Sequence, residues 1–177
     1  MADQDFPSPL RRKQPNSLHC FACGLENSFG LQIHFYDNGK DEVVANYTVP
    51  EHYQGYPGIV HGGISATILD ELVGRAAMAE NHNQFMVSAK LSIRYRNPIP
   101  TDQPLRLSGK VLRRRGRIAI SRAEIRLPDG TVGAEAEATL VRLDEFEVPI
   151  DDVERLGWRV YTNSEEKSER EGEDDSA

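Results

Sequence analysis

The chain has 177 residues, a formal net charge of −7 and two cysteines. This length is enough for one domain with a buried core. No region is basic enough to predict a nucleic-acid partner, and no apolar run approaches the roughly 18 residues that a membrane span needs. Two cysteines cannot build a disulfide framework, so we expect a protein of the reducing cytoplasm.

The charge also divides the chain into segments. Residues 164–177 carry seven acidic and two basic side chains, a net charge of −5, which leaves −2 on the rest of the chain. Because almost no apolar side chain offsets the entropy of ordering them, we expect a disordered acidic tail. Residues 1–16 are polar and proline-rich, which predicts a flexible segment without the apolar run of a signal peptide or anchor. The predicted domain spans residues 17–145, and a C-terminal extension spans residues 146–163.

The predicted elements are six strands and one helix. Residues 31–36 alternate apolar and polar side chains, turn residues follow, and residues 43–49 predict the second strand of a hairpin. A loop rich in Gly, Pro and Tyr then leads to a helix at about 62–80. Four further strands are predicted at residues 85–95, 105–112, 118–127 and 132–143.

Short turns join the last four strands, so we expect them to form an antiparallel meander. The helix is apolar over more than half of its circumference, which is typical of a buried helix. One apolar helix against one antiparallel sheet predicts an α+β layer architecture.

The start of the helix carries the first chemical signal. His61, Gly62 and Gly63 follow a loop that contains Pro57 and Gly58. The first N–H groups of a helix have no partner inside it, and the two glycines leave them sterically open. Together with the helix dipole, these N–H groups favour an oxygen that carries negative charge.

The second signal is a carboxylate in the middle of the apolar helix. Asp70 lies at the edge of the apolar arc, next to Ala66 and Ala77 on a helical wheel. Glu71 points about 100° away, so we expect that the two acids do not share a pocket. A donor that polarises a carbonyl and an acid that activates water together indicate acyl chemistry.

These motifs resemble the hotdog-fold acyl-CoA thioesterases, specifically the phenylacetyl-CoA-type branch. The resemblance covers about residues 18–143 and includes further motifs in the same order: His19-Cys20-Phe21-Ala22-Cys23-Gly24, Gly55-Tyr56-Pro57-Gly58 and Tyr95-Arg96-Asn97-Pro98. It implies a curved antiparallel six-stranded sheet wrapped around one long central helix. It also implies hydrolysis of acyl-CoA to a free acid and CoA, with no cofactor besides the coenzyme A of the substrate.

The resemblance also assigns roles to residues. The Gly62 N–H would polarise the thioester carbonyl, Asp70 would activate water or attack directly, and Ser88 would help to hold the water. His61 would orient the loop, with direct proton transfer as the less favoured role. Gln54 is the nearest polar counterpart of an Asn that some family members carry before the His-Gly-Gly motif.

Further residues are candidates for binding the substrate. Gly63 adds a second helix N–H, and Glu71 is a candidate contact, although a solvent or interface position is the simpler interpretation. The cluster that contains Arg113, Arg115 and Arg117 could bind the phosphates of coenzyme A, although such runs are usually solvated.

Helix geometry predicts that the site needs two chains. His61 and Asp70 are nine residues apart, which corresponds to roughly 13 Å along a helix. A polarised carbonyl and its attacking water must lie within about 3 Å of their helpers. We therefore expect a twofold homodimer in which one chain supplies Gly62 and the other Asp70, with a homotetramer as a dimer of dimers.

The cysteine segment is not expected to bind metal. His19, Cys20 and Cys23 offer three ligands, whereas a closed zinc site needs four. Packing of the N-terminal segment is the simpler interpretation.

Two alternatives to a thioesterase stay open. A hydratase or dehydratase on the same fold would bring an acid and a histidine to the α and β carbons of the substrate, and a non-catalytic module would bind acyl-CoA for regulation. An assay of thiol release distinguishes these two alternatives from a thioesterase, because only the thioesterase releases coenzyme A. The sequence does not identify the acyl group, although Ala76, Ala77 and Ala79 are expected to leave volume beside Asp70.

Overall fold

The computed structural model describes residues 12–143, 153–154 and 157–162. Within these residues there is one α-helix, α1 (Gly62–Met78). The strands are β1 (Arg12–Lys13), β2 (Tyr36–Asp37), β3 (Glu42–Thr48), β4 (Met86–Tyr95), β5 (Pro104–Arg115), β6 (Ile118–Arg126) and β7 (Val132–Arg142). These seven strands, rather than the predicted six, form one antiparallel sheet in the order β1-β2-β3-β5-β6-β7-β4.

Helix α1 packs on the sheet as its apolar sequence predicts. It contacts β3, β4, β5, β6 and β7, and its side chains Ile68, Leu69 and Leu72 are fully buried. The approach to β5 is close at Gly109, where a Cβ would lie 2.6 Å from the Leu72 carbonyl oxygen. A glycine at that position therefore lets the helix lie against the sheet, and the predicted α+β architecture is confirmed.

The predicted order of the last four strands is wrong at one position. Strands β5, β6 and β7 form a meander, but β4 pairs with β7, while β5 pairs with β3. A short turn makes two consecutive strands pair with each other, but the connection from β4 to β5 crosses to the other side of the sheet. Strand β4 therefore forms one edge of the described sheet.

The predicted strand at residues 31–36 is also only partly correct. Gln32 has a φ of +50°, which breaks the extended backbone, and strand β2 begins only at Tyr36. Before that point the chain bonds to the preceding loop, since Leu31 donates to the Phe21 carbonyl and Ile33 to the Ala22 carbonyl.

The described end of the predicted N-terminal segment, residues 12–16, packs against the rest of the chain. Arg12 and Lys13 pair with β2, and the side chains of Gln14 and Asn16 are buried. Residues 1–11 and the predicted acidic tail lie outside the described residues. No helix in the described part of the chain is long and apolar enough to cross a membrane.

Candidate active site

The N-terminal end of α1 presents one free backbone donor. His61 caps the helix, and its Nδ1 accepts a hydrogen bond from the Gly63 N–H at 2.9 Å. The Gly63 donor is therefore occupied within the chain, and the predicted contact of Gly63 with substrate stays a prediction. The Gly62 N–H has no acceptor within the described residues, and Gly62 is exposed. Of the two glycines, Gly62 can offer its N–H to a ligand.

The loop before α1 is held by its own hydrogen bonds. The Gln54 Oε1 accepts from the Gly58 N–H at 3.0 Å, so this oxygen stabilises a turn. The His61 N–H donates to the Tyr53 carbonyl, and a Cβ at Gly55 would lie 3.3 Å from the His61 Cα. These contacts fix the position of His61 at the helix start.

Tyr95 contacts the same helix end from strand β4. Its hydroxyl donates to the Gly62 carbonyl at 3.0 Å, and the residue is 55% exposed. Gly62 and Tyr95 line a cavity of about 360 Å³ together with Tyr56 and Ser65.

Asp70, on helix α1, lies beside the N-terminal end of β4, opposite to the end that carries Tyr95. The Ser88 hydroxyl donates to Asp70 Oδ1 at 2.5 Å, and both side chains are exposed. The β4–β7 register shifts between Ser88 and Lys90. Such bulges change the direction of a strand and often lie beside functional sites. The structure thus brings the predicted acid and the predicted hydroxyl into direct contact.

A cavity of about 420 Å³ opens beside this pair. Both Asp70 and Glu71 line it, so the prediction that the two acids cannot share a pocket is wrong. The wheel angle describes where the Cα–Cβ bonds point, whereas a glutamate can reach across the next turn of the helix. The other lining residues are Cys20, Cys23, Gly74, Arg75, Met78, Phe85, Met86, Val87, Ser88 and Trp158.

A buried arginine forms the floor of this cavity. Arg75 Nε donates to Glu71 Oε1 at 2.8 Å, and Arg75 Nη1 donates to the Pro15 carbonyl at 2.5 Å. Its guanidinium also lies 4.8 Å from the ring centroid of Phe35 and 4.9 Å from that of Trp158. The ion-pair partner of Arg75 is therefore Glu71, whereas Asp70 is bonded to Ser88.

Two thiols complete the cavity wall. A hydrogen bond from the Cys23 thiol lowers the pKa of Cys20 to about 6. The same hydrogen bond, followed by burial, raises the pKa of Cys23 above its usual value. Neither thiol was assigned a role at this site by the sequence. The one sequence feature that could have pointed to them is the motif of residues 19–24, which is part of the resemblance to the thioesterases.

Part of the arginine hairpin lies beside a third cavity. Arg117 and Arg142 line a cavity of about 350 Å³, together with Arg114. Arg114 Nη2 donates to the Ala77 carbonyl at 2.7 Å. Arg113 and Arg115 line neither this cavity nor the one beside Asp70.

Within one chain, the donor and the acid do not meet. Gly62 and Asp70 line different cavities, and their separation of eight helical residues corresponds to roughly 12 Å. The alanines expected to leave space beside Asp70 are buried in the core. Gly74 lines the cavity instead, and a Cβ there would meet nothing within 4 Å.

Known proteins are similar to this chain over the loop, the helix and the sheet. A family model described as "Thioesterase superfamily" matches residues 57–134. A candidate esterase of Saccharolobus solfataricus, SSO2140, is 30% identical over 97 residues, which cover 55% of this chain and 69% of that protein. The chain belongs to the thioesterase superfamily. The predicted hotdog fold is confirmed by the family match together with the one long helix packed on an antiparallel sheet.

Two further likenesses extend the superfamily match. The acyl-coenzyme A thioesterase THEM4 of Rattus norvegicus is 29% identical over 136 residues, which cover 76% of this chain and 58% of that protein. The chain thus spans about three fifths of the length of this curated relative. The crystal structure of RHA08564, a thioesterase superfamily protein, is 35% identical with a TM-score of 0.62 and covers 70% of this chain and 60% of that chain.

Proposed function

We propose that this chain hydrolyses acyl-CoA thioesters to a free acid and coenzyme A. The contact between Ser88 and Asp70 beside an open cavity carries the proposal. Membership of the thioesterase superfamily supports the reaction type, and the printed name of rat THEM4 supports acyl-CoA as the substrate class. The hydrolysis step draws on no cofactor besides the coenzyme A that the substrate carries.

In this mechanism Asp70 acts as a general base. Its carboxylate takes a proton from water, and the water attacks the thioester carbonyl while Ser88 orients the carboxylate. A positioned base accelerates such a step by about 10²–10⁴. The oxyanion that forms accepts a hydrogen bond from the Gly62 N–H, which contributes about 2.7–4 kcal/mol of transition-state stabilisation. Collapse of the intermediate expels the thiolate of coenzyme A, which the proton held by Asp70 neutralises.

The proposed enzyme is a homodimer formed through β4. This ten-residue strand hydrogen-bonds on one side to β7 and ends the described sheet on the other, and long exposed edges favour pairing with another chain. Antiparallel pairing of two β4 strands about a point between Leu91 and Ser92 would bring Ser88 opposite Tyr95 of the partner subunit. The Asp70 cavity of one chain would then adjoin the Gly62 cavity of the other.

The proposed phosphate contacts lie next to the Asp70 cavity. The cavity with Arg117 and Arg142 shares Met86 with it, and guanidinium groups bind phosphate well. Reversing the charge of Arg142 should raise KM for acyl-CoA by about tenfold, since a charge-assisted contact is worth about 1.5–3 kcal/mol before solvent screening.

A simple thioester without the nucleotide provides the comparison for that variant. Its KM should be unchanged by the Arg142 substitution, and reversing Arg113, outside both cavities, should leave both substrates unaffected. An equal effect of Arg142 on the two substrates would argue against phosphate contact.

The finer assignments are part of the same proposal. His61-Gly62-Gly63, with Asp70 nine positions after His61, supports the phenylacetyl-CoA-type branch. A dimer of dimers and a cytoplasmic location are expectations from the resemblance and from the cysteine count.

The test is thiol release from a panel of acyl-CoA substrates that runs from acetyl to long-chain and aryl groups. A thioesterase releases coenzyme A from at least one member with saturation kinetics. A change in enoyl absorbance without thiol release would instead indicate a hydratase, and binding without either signal would indicate a regulatory module. Either outcome would overturn the proposal.

A further inference from the structure

Three potential metal ligands converge next to Asp70. The Sγ atoms of Cys20 and Cys23 and a carboxylate oxygen of Glu71 all lie within 4.8 Å of one another. Cys23 is 1% exposed and the Glu71 side chain 23% exposed. The three residues come from two elements, the loop before β2 and helix α1, so the tertiary fold brings them together.

The loop that carries the thiols has a tight and specific shape. The Ala22 N–H donates to Cys20 Sγ at 3.3 Å, and the Gly24 N–H donates to the Cys20 carbonyl at 2.8 Å. A Cβ at Gly24 would lie 2.4 Å from that carbonyl oxygen, so this turn requires glycine. Thiols three residues apart on such a turn can bind one ion together, and an N–H donated to sulfur favours the thiolate that a metal needs.

The charges around the cluster also match a divalent metal. Two thiolates and one carboxylate carry a charge of −3, and a divalent ion reduces it to −1. The buried Arg75, bonded to Glu71, supplies the remaining positive charge. Arg75 Nη2 is buried and has no acceptor in the described part of the chain, so an anionic ligand set beside it would give this donor a partner.

We propose that Cys20, Cys23 and Glu71 bind one zinc ion, which fixes the loop of residues 17–31 to helix α1 beside Asp70. Zinc accepts thiolate and carboxylate ligands, and three protein ligands leave one position for water. Binding releases the two thiol protons to solvent, and no redox step is involved. This ligand set differs from the one that the sequence offers, because the His19 side chain is 78% exposed and lies near Glu26.

The first test is the zinc content of the full chain purified without chelator. Elemental analysis should find about one zinc per chain in the wild-type protein, as expected for one site with three protein ligands. Cys20→Ser and Glu71→Gln should lose most of it. His19→Ala and Asp70→Asn should retain it, because neither residue is a ligand. Equal zinc content in all of these variants would overturn the proposal.

The second test uses wild-type protein and does not depend on whether a variant folds. Metal-free protein titrated with Co²⁺ should develop a thiolate-to-cobalt charge-transfer band that saturates at one equivalent. Absence of the band, or formation of an intramolecular Cys20–Cys23 disulfide in place of metal binding, would overturn the proposal. The readout is independent of hydrolysis, so the thioesterase proposal can fail without affecting it.

Discussion

Asp37 and Asp70 are two aspartates in very different surroundings. Asp37 is fully buried and accepts hydrogen bonds from Arg12 Nε and Gln14 Nε2, each at 2.7 Å. Its Oδ2 also lies 2.7 Å from His82 Nε2. Asp70 is exposed, and within the described residues its one hydrogen-bond partner is Ser88.

The difference separates a structural acid from a chemically available one. Burial of Asp37 opposes its ionisation, but the hydrogen bonds from His82, Arg12 and Gln14 outweigh that effect and lower its pKa to about 2. Because these hydrogen bonds occupy the Asp37 carboxylate oxygens, Asp37 is not available to a substrate. Asp70 retains acceptor capacity and faces open space, as a general base requires.

Asp70→Asn gives the largest expected effect on activity. An amide cannot take the proton of the attacking water, so kcat for acyl-CoA hydrolysis should fall by about 10²–10⁴. Steady-state thiol release measures the loss. Because Asp70 is exposed, the free energy of unfolding should change by less than about 0.5 kcal/mol. Full activity in this variant would show that another group activates the water.

Asp37 should instead govern stability at acid pH. Its folded pKa of about 2 lies below the value of about 3.9 in an unfolded chain, so its contribution is complete above pH 4 and is lost as the pH falls to about 2. This difference in pKa corresponds to roughly 2–3 kcal/mol of unfolding free energy. Urea unfolding between pH 2 and 6 measures it.

Asp37→Asn is the matched variant for that measurement. It should be less stable than the wild-type protein above pH 4 and should lack the same loss below it. Identical pH dependence of the two proteins would assign the acid sensitivity to other carboxylates.

Gly74 gives the smallest expected effect and concerns the open space beside Asp70. Glycine within a helix costs roughly 0.5–1 kcal/mol relative to alanine. A Cβ at Gly74 would meet nothing within 4 Å, so Gly74→Ala should stabilise the protein by about that amount in thermal unfolding. A loss of stability would mean that this face of α1 is covered, for example by a partner subunit.

Local patterns predicted much of the fold and part of the site. The helix predicted at about 62–80 spans Gly62–Met78, and the strands from residue 85 onward begin within one residue of their predicted starts. Hydrophobic periodicity and turn residues act over short distances, so the sequence records them directly. The resemblance placed Asp70 and Ser88 in one site, and their side chains are in contact, while their catalytic roles stay predictions.

Long-range contacts could not be predicted in the same way. The position of β4 beside β7 depends on how the chain crosses the sheet. The packing of residues 12–16 depends on hydrogen bonds from Gln14 to Asp37 and to the Arg75 carbonyl, which lie far along the chain. The convergence of Glu71 with the two thiols joins residues about fifty positions apart, and no local spacing records it.

The central claim is that each site combines Gly62 of one chain with Asp70 of another. Gly62 occupies the first helical position, where proline is tolerated and removes only the N–H. His61 already has a ψ of 136°, which suits a residue before proline. Gly62→Pro therefore deletes the proposed oxyanion donor with little expected change in the fold.

The decisive measurement mixes inactive Gly62→Pro chains with inactive Asp70→Asn chains, unfolds them together and refolds them. Random pairing makes about half of the dimers mixed, each with one intact site, so about one quarter of wild-type activity should return. Each variant refolded alone should stay inactive. No recovery from a mixture that forms mixed dimers would contradict the shared site.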